Sequence, residues 1–330
     1  MSSEKILTSD EKFLQVSREV VWDSEAADLR ITLFHLATSR SLQLEERLKP
    51  FPPGFSPVDD GSLEKLTGIL EKVPPLEHLL DGKRPGDIEA TDFLHWLLVD
   101  NPGPKVSRID PLDAKEALRN FCWKKREIRP NKIFKIIWSD DNAGERKFQE
   151  YAKEFPTKYA FHGSKTCNFH SILNYGLAQH LNKRAAFGEG IYLSTDVSVC
   201  IGYSPAVTSW THSQLSKTIS CVALCEYIDH PVYVKTNRGG SNKDIPRNFL
   251  IVTNNDIIRV RYLLLYGQPR SKKSSSSGSS LTSWMGNNKA TVLIVSYAVI
   301  LLAVTLVTAD NSWWTPYQQM FGKYLKSVLA

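Results

Sequence analysis

The chain has 330 residues, of which 42% are hydrophobic and 23% charged, with a formal net charge of +6. That length has room for two modest domains, and the balance excludes wholesale disorder. The positive surplus is local: from Ile257 to Ala309 there is no acidic residue, while Arg259, Arg261, Arg270, Lys272, Lys273 and Lys289 all fall in that stretch. Nucleic-acid binding needs a basic surface spread over a folded face, so no nucleic-acid partner is expected. The five cysteines, Cys122, Cys167, Cys200, Cys221 and Cys225, form no C-x-x-C pair. They read as reduced thiols rather than a disulfide framework or a zinc site, and no metal is expected. Cys221 and Cys225, four apart, share one face of a strand. The opening MSSEKILTSDEK has no apolar core, so no signal peptide is expected.

The spacing from Ser24 to about Phe121 predicts helices. Ser24 is placed as an N-cap, with Glu25 and Asp28 in the first turn. Leu29, Leu33, Leu36 and the adjoining Phe34 then make an apolar stripe. A second stripe is Leu63, Leu66, Ile69 and Leu70, and a third is Ile88, Phe93, Leu94, Leu97 and Leu98. Prolines punctuate the three. No chemistry is visible here; His35, His78 and His95 read as surface or packed residues.

After Arg129 the pattern changes. Ile133–Trp138 is an apolar run and Asn142–Glu154 a helix. Short strands follow at Tyr159–Gly163, Gly190–Ser194, Thr218–Tyr227, Phe249–Thr253 and Ile257–Tyr266, with helices at Asn168–Tyr175 and Val197–Tyr203. The order is α+β, with a mixed, mostly antiparallel sheet, not the alternation of a dinucleotide-binding fold. Neither G-x-G-x-x-G nor a P-loop occurs.

The remainder is a Ser-rich, basic linker and then ATVLIVSYAVILLAVTLVTA, Ala290 to Ala309, without a charge. As a helix this run spans about 30 Å, the thickness of a bilayer core. Lys289 precedes it, and Trp313, Trp314 and Tyr317 follow. The basic flank predicts that everything before the helix stays cytoplasmic. The expected division is a helical region 1–128, a catalytic domain 129–267, a linker 268–289, a transmembrane helix 290–309 and a short tail 310–330 on the far, lumenal side.

Four segments carry chemistry: FHGSKTCNFHSIL from Phe161, FGEGIYLSTD from Phe187, CIGYS from Cys200 and FLIVTNNDIIRVRYLL from Phe249. In this order they resemble the catalytic domain of the diphtheria-toxin-like ADP-ribosyltransferases, the PARP family. With the helical region and the tail anchor, the resemblance is to the family's single-pass endoplasmic-reticulum branch. It implies NAD+ as substrate, cleavage between nicotinamide and ribose through an oxocarbenium-like transition state, and transfer to acceptor proteins on the cytosolic side of the membrane. His162 would bond the adenosine ribose hydroxyls. Gly163 would hold the carboxamide through its backbone, where a Cβ would crowd the ligand, and Ser164 completes the turn. Tyr192 and Tyr203 would flank the nicotinamide, with Tyr203 stacked on it. The segment from Gln179 to Phe187 would cover the donor.

Two positions depart from the chain-elongating pattern. Cys200, eight residues after Tyr192, stands where a Ser would bond the carboxamide. Phe249, twelve residues before Arg261, stands where a Glu would activate an incoming ADP-ribose hydroxyl. A phenyl ring accepts no hydrogen bond, so single-unit transfer is expected, including onto the protein itself. The alternative is an inactive NAD-binding membrane scaffold.

Overall fold

The computed structural model describes residues 7–38, 50–56, 59–101, 103–110, 113, 129–178, 186–237 and 244–268. By its contacts the chain divides into two units, one up to Arg270 and one from Ser271 onward. The linker, the apolar run Ala290–Ala309 and the tail lie outside the described residues. Among those described, no helix is long and apolar enough to cross a membrane.

The first unit opens with helices whose ends are set by local chemistry. Thr8 and Glu11 form a reciprocal capping box for α1 (Ser9–Trp22). Asp23, not Ser24, caps α2 (Ser24–Ala37), accepting the Ala26 amide at 2.9 Å. Ser24 is the first helical residue instead. Asp59 caps α3 (Asp60–Lys72), α4 (Leu76–Leu80) follows Pro75, and Asp87 caps α5 (Ile88–His95), which runs into a π turn, Trp96–Asp100. The helix α1 lies outside the periodic stripes read from the sequence, whereas the third stripe runs on through Leu97 and Leu98 into the π turn.

The expected antiparallel sheet is present. Among the described residues it has nine strands, eight of them in the order β1-β2-β9-β6-β3-β4-β8-β7, and every neighbouring pair is antiparallel. The strands are β1 (Lys105–Ile109), β2 (Lys132–Ile137), β3 (Thr157–Gly163), β4 (Ile191–Ser194), β5 (Val207–Thr208), β6 (Thr218–Ile228), β7 (Val234–Thr236), β8 (Phe249–Val252) and β9 (Ile258–Gln268). The two-residue β5 pairs with the start of β6, beside Thr218 and Ile219, where β3 does not reach. Among the described residues three α-helices are interleaved, α6 (Ala143–Ala152), α7 (Asn168–Tyr175) and α8 (Val197–Gly202), with a short 3-10 turn, Asn255–Ile257, before β9.

Two boundaries differ from the sequence reading. The strand β1, from the stretch read as helical, forms one edge of the sheet against β2. Gln268, placed with the linker, still pairs with Thr218 as the last residue of β9.

The helix α2 explains how the helical part and the sheet become one unit. Leu29 and Leu33 enter the core under the sheet, with Phe134, Phe169 and Leu263. Ile31 and Phe34, on its other side, enter a second core with Val16, Leu66, Phe93 and Leu97. Buried residues therefore fall on both sides of α2, and no single apolar stripe describes it. Its acids complete the seam. Asp23 also accepts the Arg108 amide at 2.5 Å, and Glu25 bonds both Arg108 and Lys132. Asp28, 2% exposed, accepts the Gln214 amide at 2.6 Å and the Thr32 hydroxyl at 3.0 Å. Burial raises its pKa against the pull of those bonds.

Beneath the sheet, Arg261 grips Glu145 of α6 with two bonds of 2.9 Å and Glu226 of β6 with one of 2.8 Å. Burial by itself would raise the Glu145 pKa, but the Arg261 bonds carry it below the usual carboxylate value. The basic residue of the Arg261-Tyr262-Leu263-Leu264 run is therefore a strut of the fold.

Candidate active site

The singled-out residues converge where β3, β4 and β8 adjoin α8. Cross-strand partners in antiparallel pairs point to the same face. Phe161 is opposite Ser194, Ser194 opposite Phe249, and Tyr192 opposite Ile251. Tyr192, Ser194 and Phe249 thus share one face, while Leu193, Leu250 and Val252 point into the core on the other.

Strands β3 and β4 register only at Phe161 and Ser194, and part beyond it. In that gap the His162 ring reaches the Tyr192 carbonyl, 3.0 Å from Nδ1. A carbonyl only accepts, so Nδ1 carries the proton and Nε2 is left as an acceptor. Burial lowers the His162 pKa, opposed in part by the bond to Tyr192, which keeps the ring neutral at pH 7.

The structure supplies a packing reason for glycine at 163. A Cβ there would lie 2.7 Å from the Cys200 carbonyl carbon and 2.8 Å from its Cα. The position is closed to other residues by the backbone of α8, whatever the ligand requires. Asp196 caps that helix and Tyr203 ends it, its amide donating to the Cys200 carbonyl at 3.1 Å. Cys200 is packed tightly beside it. The residue is 4% exposed and packs with Phe161, Val197, Val222 and Leu224. Burial pushes its thiol pKa up to about 12, even though the Gly163 and Ser194 backbones bond to it. The thiol stands behind Gly163 as a packed neutral group. Ser164 accepts a 2.8 Å bond from the Asn168 side chain and so fixes the start of α7. Tyr203 is 61% exposed.

Tyr192 does more than offer a ring. Its hydroxyl accepts the Phe187 amide and donates to the Gly188 carbonyl, both at 2.7 Å. This closes the turn before β4, where Gly188 and Gly190 adopt φ of 97° and 145°. Phe187 then lies 6.4 Å from the Tyr192 ring and 6.5 Å from the Phe249 ring, centroid to centroid. The rest of the covering segment, residues 179–185, lies outside the described residues.

Sequence reasoning passed over two hydroxyls. Ser194 Oγ donates to the Asn248 carbonyl at 2.9 Å and accepts the Asp196 amide at 3.0 Å, tying β4 to α8. Ser204 accepts the Cys221 amide at 3.0 Å, and its carbonyl accepts the Ser220 hydroxyl at 2.5 Å. Ser204 ends the CIGYS segment, but nothing in its spacing tells a buried bracket from a ligand contact. A separate cavity, lined by Arg30, Asn101, Val106 and His170 among others, shares no residue with this cleft.

Residues 115–244 match the Poly(ADP-ribose) polymerase catalytic domain, and residues 19–98 the ARTD15 N-terminal domain. The chain is 35% identical over 310 residues to the human protein mono-ADP-ribosyltransferase PARP16, covering 87% of this chain and 92% of that one. The chain belongs to the PARP family of ADP-ribosyltransferases. The mouse protein mono-ADP-ribosyltransferase PARP16 is 34% identical over 321 residues, covering 89% of this chain and 92% of the relative. A more distant member, mouse protein mono-ADP-ribosyltransferase PARP8, is 31% identical over 162 residues, covering 40% of this chain and 18% of its own. The α+β fold and the helical N-terminal region agree with a PARP catalytic domain preceded by the domain that accompanies it in this branch. By this membership the chain is an enzyme of the mono-ADP-ribosyltransferase type.

Proposed function

We propose that the protein splits NAD+ between nicotinamide and ribose and attaches single ADP-ribose units to protein side chains, its own included. It works on the cytosolic face of the endoplasmic-reticulum membrane, held there by Ala290–Ala309. The observation that carries the chemistry is the convergence of His162, Gly163, Tyr192 and Phe249 at the junction of three strands and α8.

His162 Nε2 accepts an adenosine ribose hydroxyl; its neutral, fixed tautomer suits that role. The Gly163 backbone takes the nicotinamide carboxamide, and the exposed Tyr203 ring stacks on the cationic heterocycle, opposite Tyr192. Cys200 and Ser164 act one step back, holding α8 and α7 against the site. As the bond to C1′ breaks, its electron pair leaves with nicotinamide, and an acceptor side chain closes on the oxocarbenium face. Phe249 supplies no base, so the reaction rests on positioning. General-base help is typically worth about 10²–10⁴ in rate, and a sugar hydroxyl, a poor nucleophile, needs it most. Transfer therefore stops at one unit.

The test is incubation with labelled NAD+, followed by digestion and mass spectrometry of the adducts. Single ADP-ribose masses are expected; chains of several units would refute the reading of Phe249. No nicotinamide release at all would favour the scaffold alternative. For the anchor, a chain ending at Arg270 keeps Gln268 in β9 and should be soluble, whereas the full chain should resist alkaline carbonate extraction. Protease added to intact microsomes should remove the catalytic region; its protection would reverse the topology.

A further inference from the structure

We propose that Phe187, set across Phe249 and pinned by Tyr192, keeps water from the anomeric carbon, so that ADP-ribose passes to protein rather than being hydrolysed. The inference rests on the donor-site reading above and adds a residue that decides the fate of the intermediate.

An oxocarbenium-like centre is open to any nucleophile, and water competes with an acceptor side chain. If a side chain attacks, its lone pair forms the bond to C1′ and its proton leaves. If water attacks, the products are free ADP-ribose and a proton. Nothing but access and orientation separates the two outcomes.

The geometry bears on access. Phe187 meets Phe249 edge to face at 60°, and lies at 31° to Tyr192. Both separations fall within the range of aromatic contact. The three rings make an apolar wall on the β4–β8 face, where a chain-elongating relative would present a carboxylate. Such a wall neither orients nor deprotonates water. It is also held in place. The Phe187 amide and the Gly188 carbonyl use both bonds of the Tyr192 hydroxyl, so the turn that carries Phe187 is fastened to β4. Tyr192 is here a positioning residue for Phe187, and its hydroxyl is engaged by the protein.

The experiment measures nicotinamide, protein-bound ADP-ribose and free ADP-ribose in one reaction, using the full-length protein in detergent. In the wild type most released ADP-ribose should be protein-bound. In Phe187→Ala the ratio of free to bound should rise about five- to tenfold, the scale of one lost aromatic contact. Phe187→Leu, which keeps an apolar side chain, should recover much of the difference. Tyr192→Phe keeps the ring and removes the pin, and should shift the ratio in the same direction even if Phe187→Ala fails to turn over. An unchanged ratio in Tyr192→Phe, or in a turning-over Phe187→Ala, overturns the inference and leaves the donor site standing. Absence of nicotinamide release from the wild type overturns the donor site itself.

Discussion

The His162 ring and the Tyr192 carbonyl are joined by a 3.0 Å bond across the gap between β3 and β4. That bond fixes the tautomer and leaves Nε2 as an acceptor. His162→Ala should lower nicotinamide release at least about tenfold, the size of one good hydrogen bond. Circular dichroism should show an intact fold. A folded variant with wild-type release would remove His162 from the site.

Gly163 tests the packing against α8. Gly163→Ala drives a methyl group into the Cys200 backbone, which has no flexible end to give way. Overpacking of this kind costs roughly 1–3 kcal/mol. The thermal midpoint should fall and nicotinamide release should be lost together. Crystal structures or exchange protection showing α8 undisturbed would contradict this account.

How much of this was legible beforehand differs by residue. The long strands TISCVALCEY and IIRVRYLLLY announce themselves through β-branched and aromatic content, and β6 and β9 lie at the centre of the sheet. The strand β1, KVSRI, is five residues set just after Pro104, too short for a period to register. The burial of α2 in two cores was visible only as a stripe with Phe34 beside it, because a one-sided pattern cannot reveal a helix shared in this way. At the site, the order of segments pointed to His162, Tyr192 and Phe249. The direction in which Cys200 points and the seat of the Phe187 ring depend on tertiary contacts that spacing does not encode.

Acid should unfold the protein through its buried histidines. His170 bonds the Pro50 carbonyl at 2.7 Å, and burial takes its pKa down from 6.5 to about 4, with the Arg30 charge adding to the fall. Between those values the unfolded chain binds a proton that the native one refuses, so stability is lost as pH falls through that window. The loss at this residue is on the order of 3 kcal/mol. Denaturant midpoints measured from pH 7 to 4 should decline, and His170→Gln should flatten the slope. A variant as steep as the wild type would place the acid sensitivity elsewhere.

Arg261 should be hard to replace because it holds two carboxylates at once. Arg261→Met leaves Glu145 and Glu226 without their shared partner. Breaking a buried pair from one side costs roughly 3–5 kcal/mol. Denaturant unfolding should show the loss, and adding Glu145→Gln and Glu226→Gln should restore part of it. A neutral single variant would mean that water reaches these carboxylates freely.

The strand β9 is the last of the sheet in the chain, yet it lies between β2 and β6. The edge formed by β1 and β2 therefore has no neighbour until the final strand has been made. Synthesis cannot finish the sheet piece by piece, since non-local pairing of this kind closes late and slowly. A nascent chain interrupted before Ile258 carries two disconnected half-sheets with exposed margins, the species that chaperones hold and proteases clear. Completion of the fold thus becomes a checkpoint on the ribosome: the seam closes only in chains whose synthesis has passed Gln268.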